Sequence, residues 1–155
     1  MTGKTAYIAG TFDTKEVELL FVRDLIKKCG LDTVTVDLGT SSKSSSNKAD
    51  ISAREVARRH PQGEGAVFTG DRGTAVTAMA EAFKHFLTSR SDLGGVIGFG
   101  GSGGTALISP AFQNLALGIP KVIVSTMASG NIAPYVGTSD ICMMYASTAN
   151  RIAMP

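Results

Sequence analysis

The sequence predicts an α/β fold, a Rossmann-like three-layer sandwich around a mostly parallel sheet of about five or six strands. Three observations carry that prediction. Short apolar runs recur along the chain: "TAYIAG" at 5–10, "GAVFTG" at 65–70, "GGVIGFG" at 94–100 and "PKVIVST" at 120–126. Near-continuous runs of this kind belong to strands buried on both faces, the condition of a parallel sheet. The segments between them carry apolar residues at helical spacing, and right-handed crossovers then stack helices on the sheet. Finally, several runs end in glycine and small polar residues, the chemistry of the ligand-bearing carboxyl edge of such sheets.

The elements follow in order. After the first strand, a helix is expected from Asp13 or Thr14. Asp13 and Glu16 have capping-box spacing, and Val17, Leu20, Phe21 and Leu25 supply an apolar face. Lys27 and Lys28 suit the negative end of that helix, and Cys29-Gly30 closes it. "DTVTVDLG" at 32–39 reads as the second strand, and 40–50 as a polar loop. A short helix through "SAREVARRH" is capped by Ser52, with Glu55 three positions on. "GAVFTG" is the third strand. From Thr74 to Leu87, the positions Val76, Met79, Ala80, Phe83 and Leu87 mark one helical face. "GGVIGFG" is the fourth strand, and residues 104–117 form a helix that Pro110 kinks or restarts. "PKVIVST" is the fifth strand and "SDICMMYAS" a weaker sixth.

Composition narrows the function. The 155 residues suit one domain, with 43% hydrophobic and 18% charged residues. A net charge of +2 is too small to point to nucleic acid or a membrane surface. No apolar run reaches the roughly 18–20 residues that span a bilayer, and "MTGKTAYIAG" lacks a signal-peptide layout. Cys29 and Cys142 have no metal-type spacing; free thiols and a cytoplasmic location are expected. The closing "NRIAMP" follows an apolar run without an evident terminal helix, so two expectations stand: a complete chain, or the first domain of something longer.

The chemistry concentrates at the strand ends. Residues 98–104, "GFGGSGG", hold five glycines in seven positions. Bare backbone there lets N–H groups converge on one small space, and the next helix N-terminus adds partial positive charge. Ser102 and Thr105 add hydroxyls to Gly101, Gly103 and Gly104, which makes an anion site suited to phosphate; the alternative is a tight turn. Gly70-Asp71-Arg72-Gly73-Thr74-Ala75 repeats the pattern G-x-x-G-T-A of Gly101-Ser102-Gly103-Gly104-Thr105-Ala106. The P-loop pattern is absent, and the match of Gly98, Gly100 and Gly103 to G-x-G-x-x-G falls in the fourth strand, which disfavours a dinucleotide dehydrogenase.

Asp13 and Asp71 are the carboxylates available to Mg²⁺ beside a phosphate. Asp13 alternatively caps its helix, and Asp71 alternatively pairs with Arg72 or a neighbour. Asp37, near the end of the second strand, either binds ribose or starts a turn, and Thr40, the first residue of the following loop, is a further binding candidate. Arg72 either grips a phosphate or is solvated, and Lys15 has the same two readings. Ser125, Thr126, Ser129 and Gly130 in "STMASG" are further binding candidates. His60 and His85 read as surface and helix-flank residues, and no base for a nucleophilic serine is evident.

Five ordered motifs, "GTFDTKEVE", "GDRGTAV", "GFGGSGGT", "GIPKVIVSTMASG" and "YVGTSDICMM", resemble an uncharacterised bacterial family. Its best-known relative is the ATP-binding inhibitory domain of the plant tomato mosaic virus resistance protein. The resemblance implies an N-terminal Rossmann-like domain of a two-domain protein, binding ATP with Mg²⁺. The implied contacts are Thr11, Phe12 and Asp13, the segment Gly70–Gly73, the loop Gly101–Thr105, and Ser125–Gly130. The plant relative acts on a viral replication protein, a target the bacterial members are not expected to share. The tail "ASTANRIAMP" departs from the family pattern, and self-association as a dimer is expected of a lone first domain. Three functions are therefore in play: a nucleotide-binding domain, a ligase- or transferase-like enzyme activating a small acid or phosphorylated metabolite, and a structural or interaction module.

Overall fold

The computed structural model describes residues 3–41 and 48–146. Residues 42–47 of the expected polar loop and the tail 147–155 lie outside them. Five strands form one sheet: β1 (Thr5–Gly10), β2 (Asp32–Asp37), β3 (Leu93–Gly100), β4 (Lys121–Ser125) and β5 (Ile141–Tyr145). Their order is β2-β1-β3-β4-β5, and every pairing is parallel. The α/β three-layer expectation therefore holds.

The helices are α1 (Phe12–Lys28), α2 (Ala53–Ala57), α3 (Arg72–Thr88), α4 (Ser102–Gln113) and α5 (Ala133–Val136). One face of the sheet carries α1, where Ile8, Phe12, Leu19 and Phe99 form a small core. The larger core lies on the other face, where α2, α3 and α4 bring Val56, Met79, Phe83, Ile108 and Phe112 against Tyr7, Val36 and Ile123. Alternation along β4 divides the faces: Ile123 points to the large core and Val124 to the small one.

Segment 65–70 is not a strand. Glu64–Ala66 forms a 3-10 turn between Gly63 (φ +81°) and Gly70 (φ +84°). Ala66, Val67 and Phe68 donate their N–H groups to Gly63 and Glu64, so local bonds take the donors a ladder would use. Val67 is still fully buried, which is why the run is apolar.

Two helix starts also differ from expectation. Thr11, with extended backbone, is the N-cap of α1, and Asp13 sits inside the first turn. The sheet takes the Phe12, Lys15, Leu19 stripe, while Val17 and Leu25 are 62% and 44% exposed. Apolar residues surround much of this helix, so spacing alone permits either face. Helix α4 begins at Ser102 and runs through Pro110. Pro110 is exposed, so solvent reaches the carbonyl its missing N–H leaves free. Ser52 does cap α2, in a reciprocal capping box with Glu55.

Candidate functional site

Chain order reverses at β1: the chain leaves it for β2 on one side, then returns to β3 on the other. The carboxyl ends of β1 and β3 thus flank a crevice, where ligands of open parallel sheets bind. A cavity of ≈ 500 Å³ opens there. Its walls include Thr11, Asp13 and Lys15 from the start of α1, Thr40 after β2, Arg72 from α3, and Gly100–Gly104. A smaller one of ≈ 250 Å³ adjoins it, sharing Thr40 and Arg72 and adding Gly70 and Asp71.

The glycines divide into two groups. A Cβ on Gly98 would meet Ile108 at 2.8 Å, and one on Gly100 would meet the Gly104 backbone at 2.6 Å. These two exist so that α4 can lie against β3. A Cβ on Gly101 meets nothing nearer than Thr126 Oγ1 at 3.9 Å, and one on Gly103 nothing nearer than the Arg72 guanidinium at 3.4 Å. Neither has positive φ, so neither packing nor backbone conformation requires glycine there. What their bareness leaves is open space along the cavity wall.

That wall is also a helix N-terminus. Gly101 caps α4 without a side-chain hydrogen bond, and the N–H groups of Ser102, Gly103 and Gly104 have no partner within the helix. They lie at the positive end of a twelve-residue dipole. Thr105 turns away: its buried hydroxyl lies 2.7 Å from Gly101 O and 2.6 Å from Ser125 Oγ. Ser125 Oγ in turn accepts from Met127 N, so both hydroxyls bind the α4 turn to β4. Ser129 donates to Thr126 O, and neither Ser129 nor Gly130 lines either cavity.

The second G-x-x-G-T-A segment is built differently. Asp71 caps α3 by accepting from Thr74 N at 2.8 Å and Thr74 Oγ1 at 2.9 Å. The Thr74 N–H, foremost, holds its carboxyl below the usual range. A carboxylate of the chain already occupies this N-terminus. The two matching hexapeptides are also offset by one residue, since Asp71 is the cap of α3 and Gly101 the cap of α4.

Asp37 is buried at the end of β2, where Oδ1 accepts from Phe12 N (3.1 Å) and Gly39 N (2.9 Å). Burial pushes its carboxyl up, the two N–H groups pull it down, and the charge of Asp13 adds to the rise. It joins the first turn of α1 to the segment carrying Thr40. Phe12 itself contributes a buried ring to the small core. Among the described residues, exposed Asp13 is the one acidic side chain on the larger cavity. Among the described residues no three His, Cys, Asp or Glu side chains cluster as a metal site. Mg²⁺ nonetheless fits, because it keeps waters and shares phosphate oxygens, needing one or two carboxylates. Asp13 would be that ligand.

Sequence reasoning left Lys15 open between anion and solvent; the structure buries it on the cavity wall. The 12/15/19 spacing carried that signal. His60 accepts from Gln62 N and His85 contacts Glu81, both away from the cavities.

The model for the UPF0261 N-terminal domain, described as an uncharacterised protein family, matches residues 4–150. The chain belongs to the UPF0261 family. A UPF0261 protein of Rhizobium meliloti is 49% identical over 94% of this chain and 36% of its own length. One from Clostridium tetani is 40% identical over 92% of this chain and 36% of its own. The ToMV resistance protein Tm-1(GCR237) of Solanum lycopersicum is 39% identical over 88% of this chain and 21% of its own. The chain thus spans about a third of the bacterial UPF0261 relatives and a fifth of the tomato protein. Among the described residues no helix is long and apolar enough to cross a membrane.

Proposed function

We propose that this UPF0261 domain binds a phosphate-bearing nucleotide, ATP with Mg²⁺, at the carboxyl edge between β1 and β3. One observation carries the reading. The N–H groups of Ser102–Gly104, uncapped and at the head of α4, face a cavity that bare glycine keeps open. Arg72 stands over Gly103 and forms no ion pair among the described residues, so its fork is available to phosphate. A volume of ≈ 500 Å³ lies within the usual range of small-molecule sites. The resemblance described above supports ATP among phosphate ligands, and Asp13 is placed for the metal.

Binding is favoured over turnover, because the described residues of the cavity offer Asp13, hydroxyls and cations but no activated nucleophile. Isothermal titration with ATP, ADP and inorganic phosphate, with and without Mg²⁺, tests the reading. Saturable binding that weakens as phosphates are removed is expected. Gly103→Val should abolish it in a folded chain, since the added side chain displaces Arg72 and fills the cradle. Asp13→Ala should weaken Mg²⁺-dependent binding more than metal-free binding. Unchanged affinity in well-folded Gly103→Val would sink the proposal.

A further inference from the structure

We propose that Lys15 is the charge partner of the ligand's outer phosphates, so that the site selects nucleoside di- and triphosphates over monophosphates. The proposal rests on the phosphate-binding reading and adds a residue and a ligand class to it.

A lysine in the first turn of a surface helix normally extends into water. Lys15 does not: its side chain is 9% exposed, and it lines the ≈ 500 Å³ cavity. Its ammonium has three donors to satisfy. Among the described residues its one ionic contact is Glu18 Oε1 at 3.5 Å, beyond good hydrogen-bond length, and no acceptor is hydrogen-bonded to it.

The same molecule shows what a structural buried lysine looks like. Lys121, with a fully buried side chain, donates to Ala116 O at 2.8 Å, Ile119 O at 3.0 Å and the Asp140 carboxylate. Its three donors have three acceptors. Lys15 has a largely buried side chain but no such set of protein acceptors among the described residues. Its Nζ is not among the buried unpartnered atoms of the described residues, so it reaches the open cavity, where an anionic oxygen can accept a charge-assisted hydrogen bond from it.

The layers then define the ligand. Lys15 comes from α1 on one sheet face, Arg72 from α3 on the other, and the α4 N-terminus lies at the β3 end. Three sources of positive charge face one carboxylate, Asp13. A lone carboxylate or monophosphate occupies one of these sources. A phosphate chain answers several at once, with the compact ammonium suited to a terminal oxygen as a point charge.

The test titrates AMP, ADP and ATP into the whole chain and into Lys15→Met, Lys15→Arg and Glu18→Gln, and records thermal melting of each. Lys15→Met should lose about tenfold or more in ATP affinity, the cost of one charge-assisted hydrogen bond, and less for AMP. It should melt no lower than the parent, because among the described residues Lys15 makes no hydrogen bond and only the 3.5 Å contact to Glu18. Lys15→Arg should recover part of the affinity, and Glu18→Gln should bind ATP at least as well as the parent. ATP affinity unchanged in Lys15→Met would overturn the proposal. So would equal lowering of the melting temperature by Lys15→Met and Glu18→Gln, the mark of a structural ion pair. A parent chain that binds no nucleotide defeats the phosphate reading and the nucleotide selectivity built on it. Parent binding with an indifferent Lys15→Met defeats the selectivity alone.

Discussion

Asp37 shows how one side chain shapes the binding edge without facing a ligand. Its Oδ1 gathers Phe12 N and Gly39 N, fixing the start of α1 against the segment leading to Thr40. Burial raises its pKa above the ordinary aspartate range. The folded state therefore holds this proton more strongly than the unfolded chain. Its contribution to stability is fully present below the unfolded pKa and is lost as pH rises through the folded one. Asp37→Asn keeps an oxygen acceptor and removes the charge. Urea unfolding from roughly pH 4 to 7 should then show a flatter decline for Asp37→Asn than for the parent. An identical decline in both would assign the pH dependence elsewhere. Asp37→Ala, by contrast, leaves two buried donors without an acceptor and should cost about 1–3 kcal/mol at any pH in that range.

At the scale of elements, the β3–α4 junction contains glycines with opposite duties. Gly100 is required by packing, since its Cβ would lie 2.6 Å from the Gly104 Cα. Gly103 is not, since its Cβ would meet the mobile end of Arg72 at 3.4 Å. Gly100→Ala should therefore destabilise the fold by about 1–3 kcal/mol through overpacking. Gly103→Ala should leave stability unchanged or raise it by about 0.4–1 kcal/mol, through the reduced entropy of the unfolded chain. Thermal melts of the two variants check this, and a Gly103→Ala chain as unstable as Gly100→Ala would mean that both glycines serve packing. The sequence "GFGGSGG" could not separate these duties, because close approach is a property of what lies opposite. The five true strands were legible because each is a short apolar or β-branched run, the weakest being β5. "GAVFTG" looked the same, but nothing local tells a buried turn from a buried strand. The inward stripe of α1 is Phe12, Lys15 and Leu19, not the expected Val17, Leu20, Phe21 and Leu25, for a related reason: α1 is apolar on two sides, and only the sheet decides which side is inward. Thr105 and Ser125 read as ligand donors because their mutual hydrogen bond crosses twenty residues of chain.

Among the described residues the two faces of the sheet are covered unequally. Helices α2, α3 and α4 enclose one side of the sheet, whereas α1 packs over β1, β2 and part of β3 on the other. Beyond α1, Val122 pairs with Cys142 and Val124 with Met144, placing four apolar side chains on one face of β4 and β5. Met144 is 55% exposed there, although parallel sheets ordinarily have both faces covered. On the opposite face of β4, Ile123 is fully buried. Two substitutions should therefore behave very differently. Ile123→Ala should cost about 2–5 kcal/mol, the transfer and cavity terms of a deleted core side chain. Met144→Lys should change stability by no more than about 0.5 kcal/mol, and should reduce binding of an apolar fluorescent dye. Denaturation and dye titration at several protein concentrations decide the matter. If Met144→Lys destabilises the chain strongly, and does so only at concentrations where the parent sediments as a dimer, this face is covered by a second copy in solution. If it is neutral at every concentration, the face is open to solvent in the free chain, and the sheet is held together chiefly from the α3–α4 side.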